Sequence, residues 1–239
     1  MRVLSLIHDA HAASGVFGDA ACEAGHDLVE WNVAEDPGPP FEPDAALVFG
    51  GTMHVDQEDR HGWLREERAL LRRWLAEGLP VLGVCLGGQL VAKALDAPVV
   101  RMPTAEIGWF EVELTSEASQ DPIFGGLPER FETFQWHSYA FELPAASVAL
   151  ARNARCLQAY RTGINAWGLQ FHAEVRRETL ESWIDASVGG SIETERFRVE
   201  SGERIARWNE IGRAICGRFL AFAETIRPAA TTRATSRGS

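Results

Sequence analysis

The chain reads as an α/β protein, a mostly parallel central sheet with helices on both faces plus a smaller antiparallel or mixed set of strands. Three observations predict this class. In the first half, short apolar runs alternate with longer helical patterns, the signature of right-handed strand–helix–strand units. The runs at 45–49 and 79–84 are apolar without alternation and meet glycines, as strands covered on both faces do. With 239 residues, 46% hydrophobic and 24% charged, the chain can build one such domain with an appendage.

Each element follows in order. Residues 2–7 predict a first strand, 14–24 a short helix and 27–33 a second strand. A Pro-rich turn separates these from the strand at 45–49. A helix is predicted over 57–77, with Trp63, Leu64, Leu71, Trp74 and Leu75 on one stripe and Gly78 and Pro80 ending it. The strand at 79–84 enters a helix just after Cys85. The texture then changes: 110–114, 131–137, 156–160 and 166–171 read as antiparallel or mixed strands with no long helix between them. Helices are predicted over 177–187 and 194–225, the latter carrying Ile205, Trp208, Ile215, Phe219, Phe222 and Ile226 as a core-facing stripe. This divides the chain into a domain over 1–190, a helical extension over 191–226 packing on it, and a disordered tail over 227–239.

Composition narrows the partners. Thirty-four acidic residues against 23 Lys and Arg give a net charge of −11, which disfavours phosphate backbones and anionic lipid, so neither nucleic acid nor membrane is expected. No apolar run reaches the length of a spanning helix and the start lacks a cleavage pattern for export. Four scattered cysteines then read as reduced thiols in a cytoplasm.

Chemistry concentrates in two stretches. In Gly83, Val84, Cys85, Leu86, Gly87, Gly88 and Gln89, a strand runs into a cysteine flanked by glycines at −2 and +2, and a helix follows. A nucleophile on such a turn needs small neighbours, because its backbone angles are strained. The turn lies at the sheet's carboxyl edge, where open α/β sheets bind ligands. The helix N-terminus favours a thiolate and offers backbone N–H groups, Leu86 first, to an oxyanion. A buried structural thiol beside a tight turn fits the same residues. The second stretch, Phe171, His172, Ala173 and Glu174, sets a base and a carboxylate two apart, on one face if they lie on a strand. That pair suits a cysteine nucleophile, which needs a base and a group to orient it. A polar strand end is the simpler alternative.

Taken together these residues resemble the class I (triad) glutamine amidotransferase family. Gly83, Cys85, Gly87 and Gln89 meet its G-x-C-x-G-x-Q pattern, and Phe171, His172, Ala173 and Glu174 match its Phe-His-Pro-Glu with alanine for proline. The separation of about 85 residues between Cys85 and His172 suits the family, as does Gly50-Gly51-Thr52 at a strand end. The resemblance covers roughly residues 1–190 and implies a flavodoxin-like sheet, a Cys85–His172–Glu174 triad and an oxyanion hole from Gly51 and Leu86. Glu106, Ile107, Gly108 and Trp109, with the stretch from Gln135 to Pro144, look like the E-x-G-W and W-H-x-D-x-F-x-L-P segments of stand-alone GMP-synthase-like members. Tyr139 stands where that pattern has Asp.

From the resemblance, Gln89, Trp136, His137, Ser138 and Tyr139 are expected to bind substrate. His137 reads equally as a core histidine, and Trp109 and Trp136 first as packing residues.

The implied reaction is hydrolysis of the γ-amide of glutamine or a γ-glutamyl compound, releasing glutamate and ammonia or an amine. Two alternatives stay open: a γ-glutamyl peptidase with no ammonia acceptor, and a degenerate binding protein. Ammonia would go to a separate synthetase partner, since the chain has neither room for such a domain nor a P-loop. The extension could form a homo-oligomer. No cofactor is expected. His54, Asp56, Glu58, Asp59 and His61 lack a ligand frame and read as a solvated loop, so no metal is expected either. His8 and His11 follow the first strand and read as solvent-facing loop histidines near the pocket's edge.

Overall fold

The computed structural model describes residues 1–9, 12–36, 38–187 and 192–226. Its elements are β1 (Arg2–Ile7), α1 (Gly15–Glu23), β2 (Asp27–Asn32), β3 (Ala45–Val48), α2 (Trp63–Glu77), β4 (Val81–Val84) and α3 (Leu86–Ala94). There follow β5 (Val99–Leu114), a short 3-10 turn, β6 (Arg130–Phe141), β7 (Ser147–Arg152), β8 (Leu157–Thr162), β9 (Ala166–Leu169), α4 (Arg177–Ser187) and α5 (Ile192–Ile226). His11 and the tail at 227–239 lie outside the described residues.

One nine-stranded sheet runs in the order β2-β1-β3-β4-β9-β8-β7-β5-β6. β2, β1, β3, β4 and β9 are mutually parallel. β9 then pairs antiparallel with β8, and the remaining neighbours are antiparallel too. The mixed strands therefore continue the parallel sheet, and β9, expected among them, completes its parallel half. The reason lies in the β3 and β4 neighbours: a strand buried on both faces must be flanked on both edges.

Alternation along the parallel strands builds two cores. Val3, Ala45, Leu47, Leu82 and Val84 face one side with α1, α4 and α5, while Leu4, Ala46, Val48 and Val81 face the other with α2 and α3. Leu64, Leu71 and Trp74 are buried as the stripe predicts, and Gly78 (φ 79°) ends α2 in the left-handed conformation that glycine adopts without strain. The helix starts at Trp63, not at 57, because 57–62 close as turns on Gln57 O. Ile205, Trp208, Ile215 and Phe219 of α5 are buried, and Gly212 abuts the carbonyl of Ala173 so closely that a Cβ there would collide with it. Among the described residues no helix is long and apolar enough to cross a membrane.

Candidate active site

The site forms where β3 and β4 end at the centre of the parallel half. Cys85 joins β4 to α3 with φ 51° and ψ −109°, a conformation that costs an L-residue on the order of 1–3 kcal/mol. It is held by the Cys85 N–H donating to Leu169 O at 2.8 Å and by the absence of side chains around it. A Cβ on Gly83 would lie 2.6 Å from the carbonyl carbon of Gly87, and one on Gly88 2.7 Å from Leu169 O. The glycines flanking the cysteine are thus steric requirements of the elbow. Leu86 opens α3, so its N–H has no acceptor within the helix. Gly51 follows β3, and both border a cavity of about 410 Å³ together with Cys85 and His172.

His172 and Glu174 lie beyond β9, in irregular chain and not on a strand as their shared-face argument assumed. The pairing survives because the segment is pinned elsewhere. His172 N–H donates to Phe134 O (2.9 Å), Trp208 Nε1–H to His172 O (2.7 Å), Val16 N–H to Glu174 O (2.8 Å) and Asn209 Nδ2–H to Val175 O (2.7 Å). β6, α1 and α5 all grip it, which is the rigidity a proline at Ala173 would otherwise supply.

His172 Nδ1 lies 2.8 Å from Glu174 Oε1, and since the carboxylate can only accept, Nδ1–H donates. The imidazole and Cys85 meet over Gly50 and share the cavity wall. Burial alone would lower the His172 pKa, but the charges of Glu174 and Cys85 outweigh it and raise it to about 10. A cationic imidazole between a carboxylate and a thiol is the arrangement that stabilises a thiolate.

The other predicted residues divide. Gln89, Trp136, His137, Ser138 and Tyr139 all line the cavity. Gln89 Nε2 donates to Tyr139 O (3.0 Å) and approaches Gln170 Oε1 (3.3 Å), so its amide ties α3 to the 136–139 wall. His137 Nδ1–H also donates to Tyr139 O (2.9 Å), a core histidine with a backbone partner. Trp136 packs its ring against Trp183 of α4 while its carbonyl lies 4.0 Å from Cys85 Sγ. Tyr139 stacks on His54 at 4.5 Å and donates to Asp56 (2.8 Å). The loop predicted to be merely solvated thus supplies one side of the cavity.

Two residues named in the sequence have surroundings that it does not announce. The first is buried Glu106, which accepts from Asn153 Nδ2 (2.8 Å) and Gln158 Nε2 (2.9 Å). Its Oε2 is 3.1 Å from His137 Nε2. Burial alone would raise the Glu106 pKa, but His137, Asn153 and Gln158 together hold it below its ordinary value. Cys156 completes a trio whose ligand atoms lie within 4.8 Å of one another. The trio suits a proton-filled network better than a cation: burial and Glu106 push the Cys156 thiol up to about 12, and Gln158 aims its donor at both. The second is His8. Its ring was expected in solvent but is wholly buried against Glu67 and stacked on Trp63, because apolar α2 closes over the end of β1.

Fold and motif geometry together define a class, and the comparisons agree. The model of the class I glutamine amidotransferase family matches residues 20–185, and the chain belongs to that family. It is similar to a glutamine amidotransferase from Thermotoga maritima of known structure (TM-score 0.82, 28% identity), covering 92% of this chain and 98% of that one. It is 40% identical over 146 residues to the GMP synthase [glutamine-hydrolyzing] of Thermomicrobium roseum, covering 60% of this chain but 26% of that protein. It is also 33% identical over 181 residues to the gamma-glutamyl-L-1-hydroxyisopropylamide hydrolase of a Pseudomonas species, covering 70% of this chain and 58% of that one.

Proposed function

We propose that the chain hydrolyses the γ-amide bond of glutamine or a γ-glutamyl amide through a γ-glutamyl thioester on Cys85, with His172 as acid and base and Glu174 as its orienting partner. The observation that carries this reading is a cysteine at φ 51° on a strand-to-helix elbow, sharing one cavity with a buried His172 that Glu174 holds at 2.8 Å. The Cys85 thiolate attacks the γ-carbonyl carbon, and the oxyanion is met by the N–H groups of Gly51 and Leu86. As the C–N bond breaks, His172 Nε2–H protonates the departing nitrogen. His172, now neutral, takes a proton from water, whose oxygen attacks the thioester and displaces the thiolate, freeing glutamate.

A γ-glutamyl amide hydrolase with no ammonia acceptor is the favoured form of this activity. The Pseudomonas relative is named for such a reaction, and the Trp136–Trp183 wall offers an apolar seat for the amine side of the amide. Delivery of ammonia to a separate synthetase, in a cytoplasmic complex, is the second form, supported by the likeness to GMP synthase. The experiment compares release of ammonia from glutamine with release of amine from γ-glutamyl alkylamides by the isolated chain and by Cys85→Ala. Turnover of either substrate that persists in Cys85→Ala at the wild-type rate overturns the mechanism. A glutamine-mimicking diazo-ketone is expected to label Cys85 and spare Cys22, Cys156 and Cys216.

A further inference from the structure

The fold buries a second histidine–carboxylate pair directly beneath the proposed oxyanion loop. His8 follows β1 and Glu67 lies in the second turn of α2; both side chains are 0% exposed. His8 Nε2 is 2.9 Å from Glu67 Oε2, and Nδ1 is 2.9 Å from the carbonyl oxygen of Gly50. A carbonyl can only accept, and so can a carboxylate, so both ring nitrogens must carry hydrogen and the ring is an imidazolium. Burial pulls its pKa down, yet the charge and hydrogen bond of Glu67 and the Gly50 carbonyl together leave it raised.

Burying an ion pair carries a desolvation cost, and apolar residues of similar volume often serve stability as well. What this pair grips is the peptide between Gly50 and Gly51. That peptide is trans, so its N–H points opposite to its C=O. Gly50 itself sits against the reacting groups: a Cβ there would lie 3.0 Å from His172 Cε1 and 3.7 Å from Cys85 Cβ. Gly51 is wedged between His8 Cβ and Leu86 Cδ2, both within 3.3 Å of where its own Cβ would be, and borders the cavity. With the carbonyl drawn down onto His8, the N–H of the same trans peptide points away from that ring.

We propose that the buried Glu67–His8 pair is a positioning device that clamps the Gly50 carbonyl and thereby aims the Gly51 N–H at the oxyanion formed on Cys85. This rests on the thioester reading above. Glu67 fixes and charges the ring, and the ring fixes the loop; neither touches substrate. An oxyanion donor is useful only if it is already in place when charge develops, and losing one costs about 10²–10³ in kcat. Misaiming one is expected to cost less.

The test sets two His8 variants against each other. Asparagine at 8 puts its amide donor near where Nδ1 stood, reaching Gly50 but not Glu67. Glutamine puts it near Nε2, reaching Glu67 but not Gly50. His8→Asn is therefore expected to keep kcat on glutamine or a γ-glutamyl anilide within about fivefold, and His8→Gln to lose about 10–100-fold with KM within about threefold. Alkylation of Cys85 by iodoacetamide, a displacement that forms no oxyanion, is expected to stay within about threefold in both, read by mass spectrometry of the Cys85 peptide. A purely structural pair predicts the reverse order, since glutamine keeps the ion-pair partner. That order, or loss of kcat and alkylation in parallel, overturns the proposal. If either variant fails to fold, His8→Phe with Glu67→Met replaces the pair by apolar groups. It is expected to lose kcat by about 10–100-fold with alkylation intact, and wild-type kcat there overturns the proposal. Wild type inactive on both substrates would instead sink the thioester reading, and the clamp with it.

Discussion

At the scale of single residues, the site depends on charges placed where burial would forbid them. His172 is raised from 6.5 to about 10 because Glu174 and Cys85 outweigh its desolvation. For stability, the ring's contribution is fully present below its unfolded pKa of 6.5 and is lost as pH rises through about 10. In the proposed mechanism, the proton needed by the departing amine is held over the same range. The pH profile of kcat/KM is therefore expected to fall on its alkaline side near 10, and a limb near 7 would show that Glu174 does not hold the ring charged. His172→Ala should reduce kcat by about 10⁴, whereas Glu174→Gln, which still accepts from Nδ1–H, should cost at least tenfold less. Parallel losses in the two variants would contradict the orienting role. The Cys85 elbow and the His172–Glu174 contact were legible because a strained turn and a hydrogen-bonded pair demand particular residues at short, fixed spacings. Glu67 was half legible: it falls on the α2 stripe with Leu64, Leu71 and Trp74, so a carboxylate there had to be buried. Its partner His8 could not be read, because nothing in sequence says which strand end a helix will cover.

Among the elements, α5 has the clearest unexpected duty. The apolar stripe predicted its burial, and the structure adds that Trp208, Asn209 and Gly212 press on residues 172–175. Trp208→Phe keeps an aromatic ring in the core but removes the hydrogen bond to His172 O and part of the packing. It is expected to lower kcat about 3–30-fold while costing roughly 1–3 kcal/mol of stability. Unchanged kcat in a measurably destabilised Trp208→Phe would mean that α5 only packs. Other elements depart from their sequence patterns for local reasons. β5 runs from Val99, far ahead of the predicted 110, because Pro103 falls in the gap where the ladder with β6 shifts register between Arg101 and Glu106. β7 was overlooked since its six residues pair only at a shifted register on β8 and briefly on β5. The 57–62 stretch carries helix-forming side chains, yet its turns place His54 and Asp56 against Tyr139, a tertiary contact that overrides propensity.

Taken as a whole, the molecule is one sheet with a core on each face, and the site lies where the two meet. Cys85 belongs to the core under α1 and α5, while its neighbour Leu86 belongs to the core under α2 and α3. The proposed catalytic and clamping groups come from both sides: His172 is braced by α5 and His8 by α2. Loosening either face should therefore disturb the same elbow. That argues against the extension as an independently melting unit, since α5 covers Phe17, Trp167 and Phe171 with Trp208 and Phe219. Removing residues 192–239 would expose these aromatics, and the shortened chain is expected to aggregate instead of retaining slow hydrolysis. In the full chain, denaturant unfolding followed by tryptophan fluorescence, far-UV circular dichroism and loss of hydrolysis is expected to give one coincident transition. A first transition that abolishes turnover while leaving most of the sheet signal would show that α5 detaches alone. The bracing of His172 would then be local, and the two cores would not act as one.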